Sequence, residues 1–363
     1  MHPYKLQPPK AFWKKAISPY HPMDITDWYT KRFEFADKKI ATAGSCFAQH
    51  IRRNLRKYGF NYLDYEKPPL GIDENLLIDL GYNMYSTRYG NIYTSRQLIQ
   101  LLNRSKGTFV PSEGYWEKRD GVVDPFQPTI EPEPFSSVDE VEEIRKHHLE
   151  AVEALIEYAD IFVFTLGLTE TWRSKADGAV YPLCPGTSGG EFDPSKYEFH
   201  NLSFSETLSD MREFIAQSRR INKSLEYFIT VSPVPLMATA TENQVAVATT
   251  HSKSILRAVA GELYSEFDFV DYFPSYEIIT SPFMRGYFFQ PDCREVSTRG
   301  VQHMMSVFFS QHDSPSGCPT DPEERSTNGK PKYIADNNSA NNTLEDIERI
   351  RCDKEILSAF GDS

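Results

Sequence analysis

The chain has 363 residues, 40% apolar and 25% charged, the balance of a protein with a packed core rather than of a disordered or fibrous one. A formal net charge of −12 leaves no basic footprint for a phosphate backbone or an anionic membrane surface, and no stretch is apolar for long enough to span a bilayer. Five cysteines without a CxxC pair or regular spacing give neither a disulfide framework nor a zinc pattern, and the first residues lack a signal peptide's apolar segment, so the expectation is a reduced, cytoplasmic protein.

In chain order, the first buried strand is the core of KKIATA, residues 39–43, and a helical stretch follows over 47–58. Residues 104–138 hold many Pro, Gly and Ser and read as a long ordered loop. The next helix lies within 136–159, with acidic first turns and apolar residues at Val141, Ile144, Leu149, Val152, Leu155 and Ile156. DIFVFTL, 160–166, is the second strand, and 174–205 reads as a second long loop. TLSDMREFIAQSRRI is a helix before the third strand, EYFITV at 226–231. HSKSILRAVAGELYSEF is a helix before the fourth, FDFVDYF at 267–273. Strands alternating with helices of this length predict a mostly parallel sheet covered on both faces, a three-layer α/β/α sandwich. Residues 310–342 are polar and read as a disordered linker. In 343–363, Leu344, Ile347, Ile350, Ile356 and Phe360 share one helical face, and a C-terminal helix is expected.

In open α/β sheets ligands bind at the carboxyl ends of the strands. The four strands are followed by Gly44-Ser45-Cys46-Phe47, by Gly167-Leu168-Thr169-Glu170, by Ser232-Pro233-Val234-Pro235, and by PSYE and then FFQPDCREVSTRGVQHMM. Hydroxyls, glycines and carboxylates thus recur at one predicted sheet edge, although turns favour Gly, Ser and Thr in any case. Ser45 has two readings. It is the N-cap of the following helix, or it is a nucleophile beside a helix N-terminus that favours negative charge. Cys46 is a thiol nucleophile or a small buried residue. His147 and His148 are adjacent, so on a helix they diverge by about 100° and do not share a metal. Trp172 and Tyr276 line a sugar platform or belong to the core.

GSCFAQHI resembles the signature of the GSCFA family, a group with the SGNH-hydrolase-like fold. RYGNIYTSRQL, FTLGLTETW, TVSPVPLMAT, HSKSILRA and YFPSYEI look like further blocks of that family, in order, and the likeness covers roughly residues 1–309 as one domain. It implies that Ser45 is the nucleophile and that its N–H helps to hold an oxyanion. Gly90 of YGN matches the second donor. Thr169 stands where SGNH enzymes carry an Asn, with Asn91 a substitute amide, and Glu170 and Ser232 fall at substrate-binding positions. DCREVSTRGV aligns with the Asp-x-x-His block: Asp292 matches the aspartate and Gly300 the following glycine. The histidine position, however, is Glu295. The base is then Glu295 itself, His50 one turn after Ser45, or His303, which lies about two helical turns beyond Glu295 and is preferred because it follows the block that normally carries the imidazole.

The expected function is acyl-ester chemistry on a carbohydrate-like or other acylated small molecule, as esterase, O-acetylesterase or O-acyltransferase. No cofactor or metal is expected, apart from an acyl-CoA donor in the transferase case. The rival expectation is a non-catalytic binding module that has lost its histidine.

Overall fold

The computed structural model describes residues 2–313 and Pro315. The linker expected over 310–342, apart from its first residues, and the helix expected over 343–363 lie outside the described residues. A short helix, α1 (Trp13–Ala16), precedes β1 (Ile40–Gly44), α2 (Ala48–Lys57), α3 (Glu74–Leu77) and α4 (Ser95–Ser105). A hairpin of β2 (Trp116–Lys118) and β3 (Gly121–Val123) leads to α5 (Val138–Tyr158) and β4 (Ile161–Leu166). Then come β5 (Glu170–Ser174), β6 (Val180–Tyr181), β7 (Tyr197–Asn201), α6 (Phe204–Ile221) and β8 (Glu226–Val231). The chain continues through α7 (Val245–Glu266), β9 (Val270–Phe273), α8 (Ser275–Thr280) and α9 (Thr298–Phe309).

The central sheet has the order β1-β4-β8-β9 with every pairing parallel, as the strand–helix alternation predicts. β1 and β4 are buried at every position, which is why they read as unbroken apolar runs rather than as alternating ones. One core cluster joins Ala41, Ala43, Phe162, Phe164 and Ile229 to helices α4–α7, and the other joins Ile40, Ile161, Val163, Phe228 and Phe273 to α2, α8 and α9. Helices therefore cover both faces. The two expected loops are corrected in part: 104–138 contains the β2–β3 hairpin, and 174–205 contains β6 and β7, which pair with β5 in a separate antiparallel sheet. Strands of two and three residues, such as β6 and β2, are too short to show a period-2 pattern in sequence.

The segment after α2 lies along the free side of β1. Ile40 bridges Tyr62 in parallel, donates to Asn61 O at 2.9 Å and accepts from Leu63 N at 2.9 Å. The chain thus leaves β1 in one direction, returns, and builds β4, β8 and β9 in the other. The ends of β1 and β4 flank that reversal, where open α/β sheets hold their ligands.

Gly44 closes β1 in a conformation that side chains avoid, with φ +138°. A Cβ there would stand 2.6 Å from Thr165 O and 2.8 Å from Thr165 Cβ on β4. Gly44→Ala is accordingly expected to cost about 3 kcal/mol or more, read as a lower urea midpoint with an unchanged slope. A midpoint within error of wild type would show that the β1–β4 contact yields freely.

Candidate active site

The turn that closes β1 sets Ser45 between two strand ends. Ser45 is 3% exposed, and its Oγ has no hydrogen-bond partner among the described residues. It is not a cap: α2 has Phe47 at its N-cap position without a side-chain bond, and Ser45 contributes only its carbonyl, to Ala48 N at 2.8 Å. The N-cap reading of Ser45 is thereby removed. Its own N–H donates to Thr165 O at 3.4 Å, a long bond, so this donor is weakly engaged rather than turned outward as the resemblance implied.

The 90–93 loop ties the two strand ends together. Ile92 N–H donates to Gly44 O at 2.9 Å, while Tyr93 O accepts from Gly167 N at 3.2 Å and Leu168 N at 2.9 Å. Gly167 leaves little room for a side chain, because a Cβ would sit 3.0 Å from Ser45 Cβ and 3.1 Å from Tyr93 O. Gly90 has φ +68° and faces open space, and its N–H makes no hydrogen bond among the described residues. Asn91 Oδ1 accepts from the Tyr85 hydroxyl, which in turn accepts from Gln49 Nε2 on α2 at 3.4 Å. Thr169 is fully buried with Oγ1 unpartnered, and so is Thr165, whose residue pairs in register with Gly44.

Two residues that the sequence reading passed over complete this edge. Along α7 the buried positions Ser252, Lys253, Leu256, Val259, Ala260 and Leu263 form one helical stripe, and the first two are polar. Ser252 Oγ accepts from Thr169 N at 3.1 Å, and Lys253 Nζ donates to Gly167 O at 2.7 Å. Lys253 is 1% exposed and forms no ion pair among the described residues. Burial pushes its ammonium down to about 7, with Cys46 opposing that shift and Arg294 adding to it. A lysine inside an apolar stripe was the signal available in sequence.

Residues 39–308 match the model of the GSCFA family. The chain belongs to the GSCFA family. No curated protein matches it. In this GSCFA protein the other expected site residues divide into groups. Ser232 follows β8 at the same sheet edge, buried, its N–H donating to Leu166 O at 2.9 Å and its Oγ accepting from Val234 N. Glu170 is taken up by the 239–241 turn, accepting from Thr239 Oγ1 at 2.7 Å and Ala240 N at 3.4 Å.

Asp292 and Glu295 are both exposed. The Asp292 carboxylate accepts from Arg294 N at 3.0 Å and Glu295 N at 3.1 Å, so it holds its own turn rather than an imidazole. What that block sends toward the site is Arg294, which acts on Lys253 and whose Nε is buried without a hydrogen-bond partner among the described residues.

His303 lies in the core. It packs among the buried residues of α9 with its ring stacked on Phe288 at 5.0 Å, and neither ring nitrogen has a hydrogen-bond partner among the described residues. Burial lowers its pKa to about 4, against the pull of Asp24. His50 is half-buried with its ring against Phe47, and burial and then Arg53 push it down to about 3. His147 and His148 part as expected: the first is exposed beside Glu143 and Glu150, the second is buried on Glu66. Trp172 packs edge-on against Phe192 and Phe199. Among the described residues no helix is long and apolar enough to cross a membrane.

Proposed function

We propose that this GSCFA protein carries out acyl-ester chemistry, hydrolysing an ester or transferring its acyl group, with Ser45 as nucleophile and Lys253 as general base. The observation that carries the reading is the Ser45 hydroxyl. It is buried, has no hydrogen-bond partner among the described residues, and neither caps a helix nor fills a turn. A buried hydroxyl normally finds a partner, so one without calls for an explanation, and a nucleophile that awaits its substrate supplies one.

In this reading Lys253 replaces the absent histidine. As the neutral amine it donates one N–H to Gly167 O and keeps a lone pair for the serine proton. Ser45 Oγ then forms a bond to the acyl carbon, and its proton passes to Nζ. The carbonyl π pair moves to the oxygen, giving an oxyanion. That oxygen is received by the Gly90 N–H and the Thr169 hydroxyl, both without an acceptor of their own. Collapse expels the alkoxide, which takes the proton from Nζ, and water or an acceptor hydroxyl completes the cycle. Serine–lysine pairs are an attested variant of the serine–histidine logic. The carbohydrate-like substrate rests on the family resemblance. The cytoplasmic setting belongs to the same proposal, and it fits that Cys46, Cys184 and Cys293 form no disulfide among the described residues.

A serine-directed phosphonate should add its mass at Ser45 in the wild type and not in Ser45→Ala. Labelling that persists in Ser45→Ala, or that falls on Cys46, would overturn the assignment. One observation favours the rival binding module: Asp292 is exposed and turns its Oδ1 to its own turn. An unlabelled wild type that still binds acylated sugars as tightly as Ser45→Ala would decide for that rival. Turnover of aryl acetates with and without a sugar acceptor, and with acyl-CoA as donor, separates hydrolase from transferase.

A further inference from the structure

Beside the 90–93 loop lies a second polar feature that the acyl chemistry does not use. A cavity of about 30 Å³ is lined by Tyr89, Asn91, Gln97, Arg104, Gln127 and His148 among others. That volume admits a water or the head of a small anion. Arg104, in the last turn of α4, is 7% exposed. Its guanidinium carbon lies 3.8 Å from the centre of the Phe126 ring. Its Nε and Nη2 are buried and have no hydrogen-bond partner among the described residues. These two nitrogens are the parallel edge of the guanidinium, the one that receives a carboxylate side-on.

The anions nearby are already used. Asp124 acts on Arg104, but its Oδ2 receives Arg145 Nε at 2.6 Å and its Oδ1 the Phe126 N–H at 2.7 Å. Glu66 holds His148 Nδ1 at 2.6 Å, which leaves His148 Nε2 as another buried nitrogen of the lining without a hydrogen-bond partner among the described residues. Gln97 Oε1 accepts from Tyr93 N and Thr94 N, and Gln127 Nε2 donates to Arg88 O. Burial lowers Arg104 only to about 10, so the group stays charged at neutral pH. A buried cation without an acceptor is expensive to keep, and a ligand that supplies the acceptor removes the expense.

We infer that this cavity is a binding site for a carboxylate group, gripped by the Nε and Nη2 edge of Arg104. The planar fork and the small volume fit a carboxylate better than a tetrahedral phosphate. The carboxylate is either a free acid of one or two carbons or the acid end of a larger ligand reaching in. The inference does not depend on Ser45: Ser45→Ala should bind the probe as the wild type does, whether or not the serine is a nucleophile.

Saturation-transfer NMR on the full chain with formate as probe tests it. Formate should receive signal from the wild type and be displaced by acetate more readily than by chloride at equal ionic strength. Displacement by glucuronate as well would identify the acid end of a larger ligand as a source; failure of glucuronate beside success of acetate would identify free small acids. Arg104→Lys, which keeps the charge and loses the fork, should weaken binding about tenfold or more. No transfer in the wild type, equal displacement by chloride, or full binding in a folded Arg104→Lys would overturn it. If that variant does not fold, wild-type crystals grown with formate decide: planar density on the Arg104 edge supports the site, and water alone overturns it.

Discussion

Lys253→Ala should lower kcat/KM toward an aryl acetate by about 10²- to 10⁴-fold, the range contributed by a positioned general base. The wild-type rate should rise with pH through about 7 and then level, because the proton acceptor is the neutral amine and burial sets its pKa there. In Lys253→Ala that limb should vanish, and small primary amines should restore part of the rate. A limb near 7 that survives in the variant would move the base elsewhere. Restoration by amines separates chemistry from folding, since an amine in solution cannot repair a collapsed stripe on α7.

The same burial has a consequence for stability. The folded ammonium has a pKa of about 7 against an ordinary 10.5, so between those values the unfolded chain holds a proton that the folded one does not. Stability therefore rises with pH in that window, and below about 7, where both states are protonated, this group adds no slope. At 1.36 kcal/mol per pKa unit, the wild type should gain about 2–3 kcal/mol between pH 7 and 9 relative to Lys253→Met, measured by urea unfolding. Parallel curves for the two proteins would mean that water reaches the amine in the folded state.

The strands of the central sheet were legible because full burial makes them apolar runs, and the helices because their stripes and acidic starts are periodic. The fourth strand starts at Val270 rather than at Phe267, because Val270 N–H turns back onto Phe267 O before the pairing begins. The family was legible from short blocks in a fixed order. Ser45 was legible as a position; that its hydroxyl caps nothing was not, since both fates share the pattern of a small hydroxyl residue before a helix. Lys253 was visible in sequence as a lysine inside an apolar stripe, but its role and that of Arg294 were not, because both arise from what α7 and the turn after Asp292 meet in space. His303 misled because it follows the right block, yet one helical face of α9 is core and His303 belongs to it.

Acid should unfold this protein earlier than its carboxylates alone would require. His303 and His312 are 5% and 1% exposed, and burial lowers them to about 4 and about 3 from an ordinary 6.5. Lys31 adds to the lowering of His312 and Asp313 opposes it. The His312 ring lies 4.5 Å from Phe308 and 4.6 Å from Phe35, with Nε2 3.2 Å from the Tyr29 hydroxyl, which donates to Asp271. Both rings are neutral in the fold. The stability they contribute is complete above pH 6.5 and is lost as pH falls toward their folded values, because the unfolded chain binds the protons first. Each should cost about 1.36 kcal/mol per pH unit below 6.5. At pH 4.5 the pair would remove about 5 kcal/mol, comparable to the lower end of the total stability of a domain. His50 acts in the same direction. Urea midpoints from pH 7 to 4.5 should fall steeply, and His312→Phe, which keeps a ring among Phe35 and Phe308, should bind about one proton fewer on unfolding in that range. A variant with the wild-type slope would show that His312 takes up its proton without leaving the fold, and the acid limb would then belong to the carboxylates.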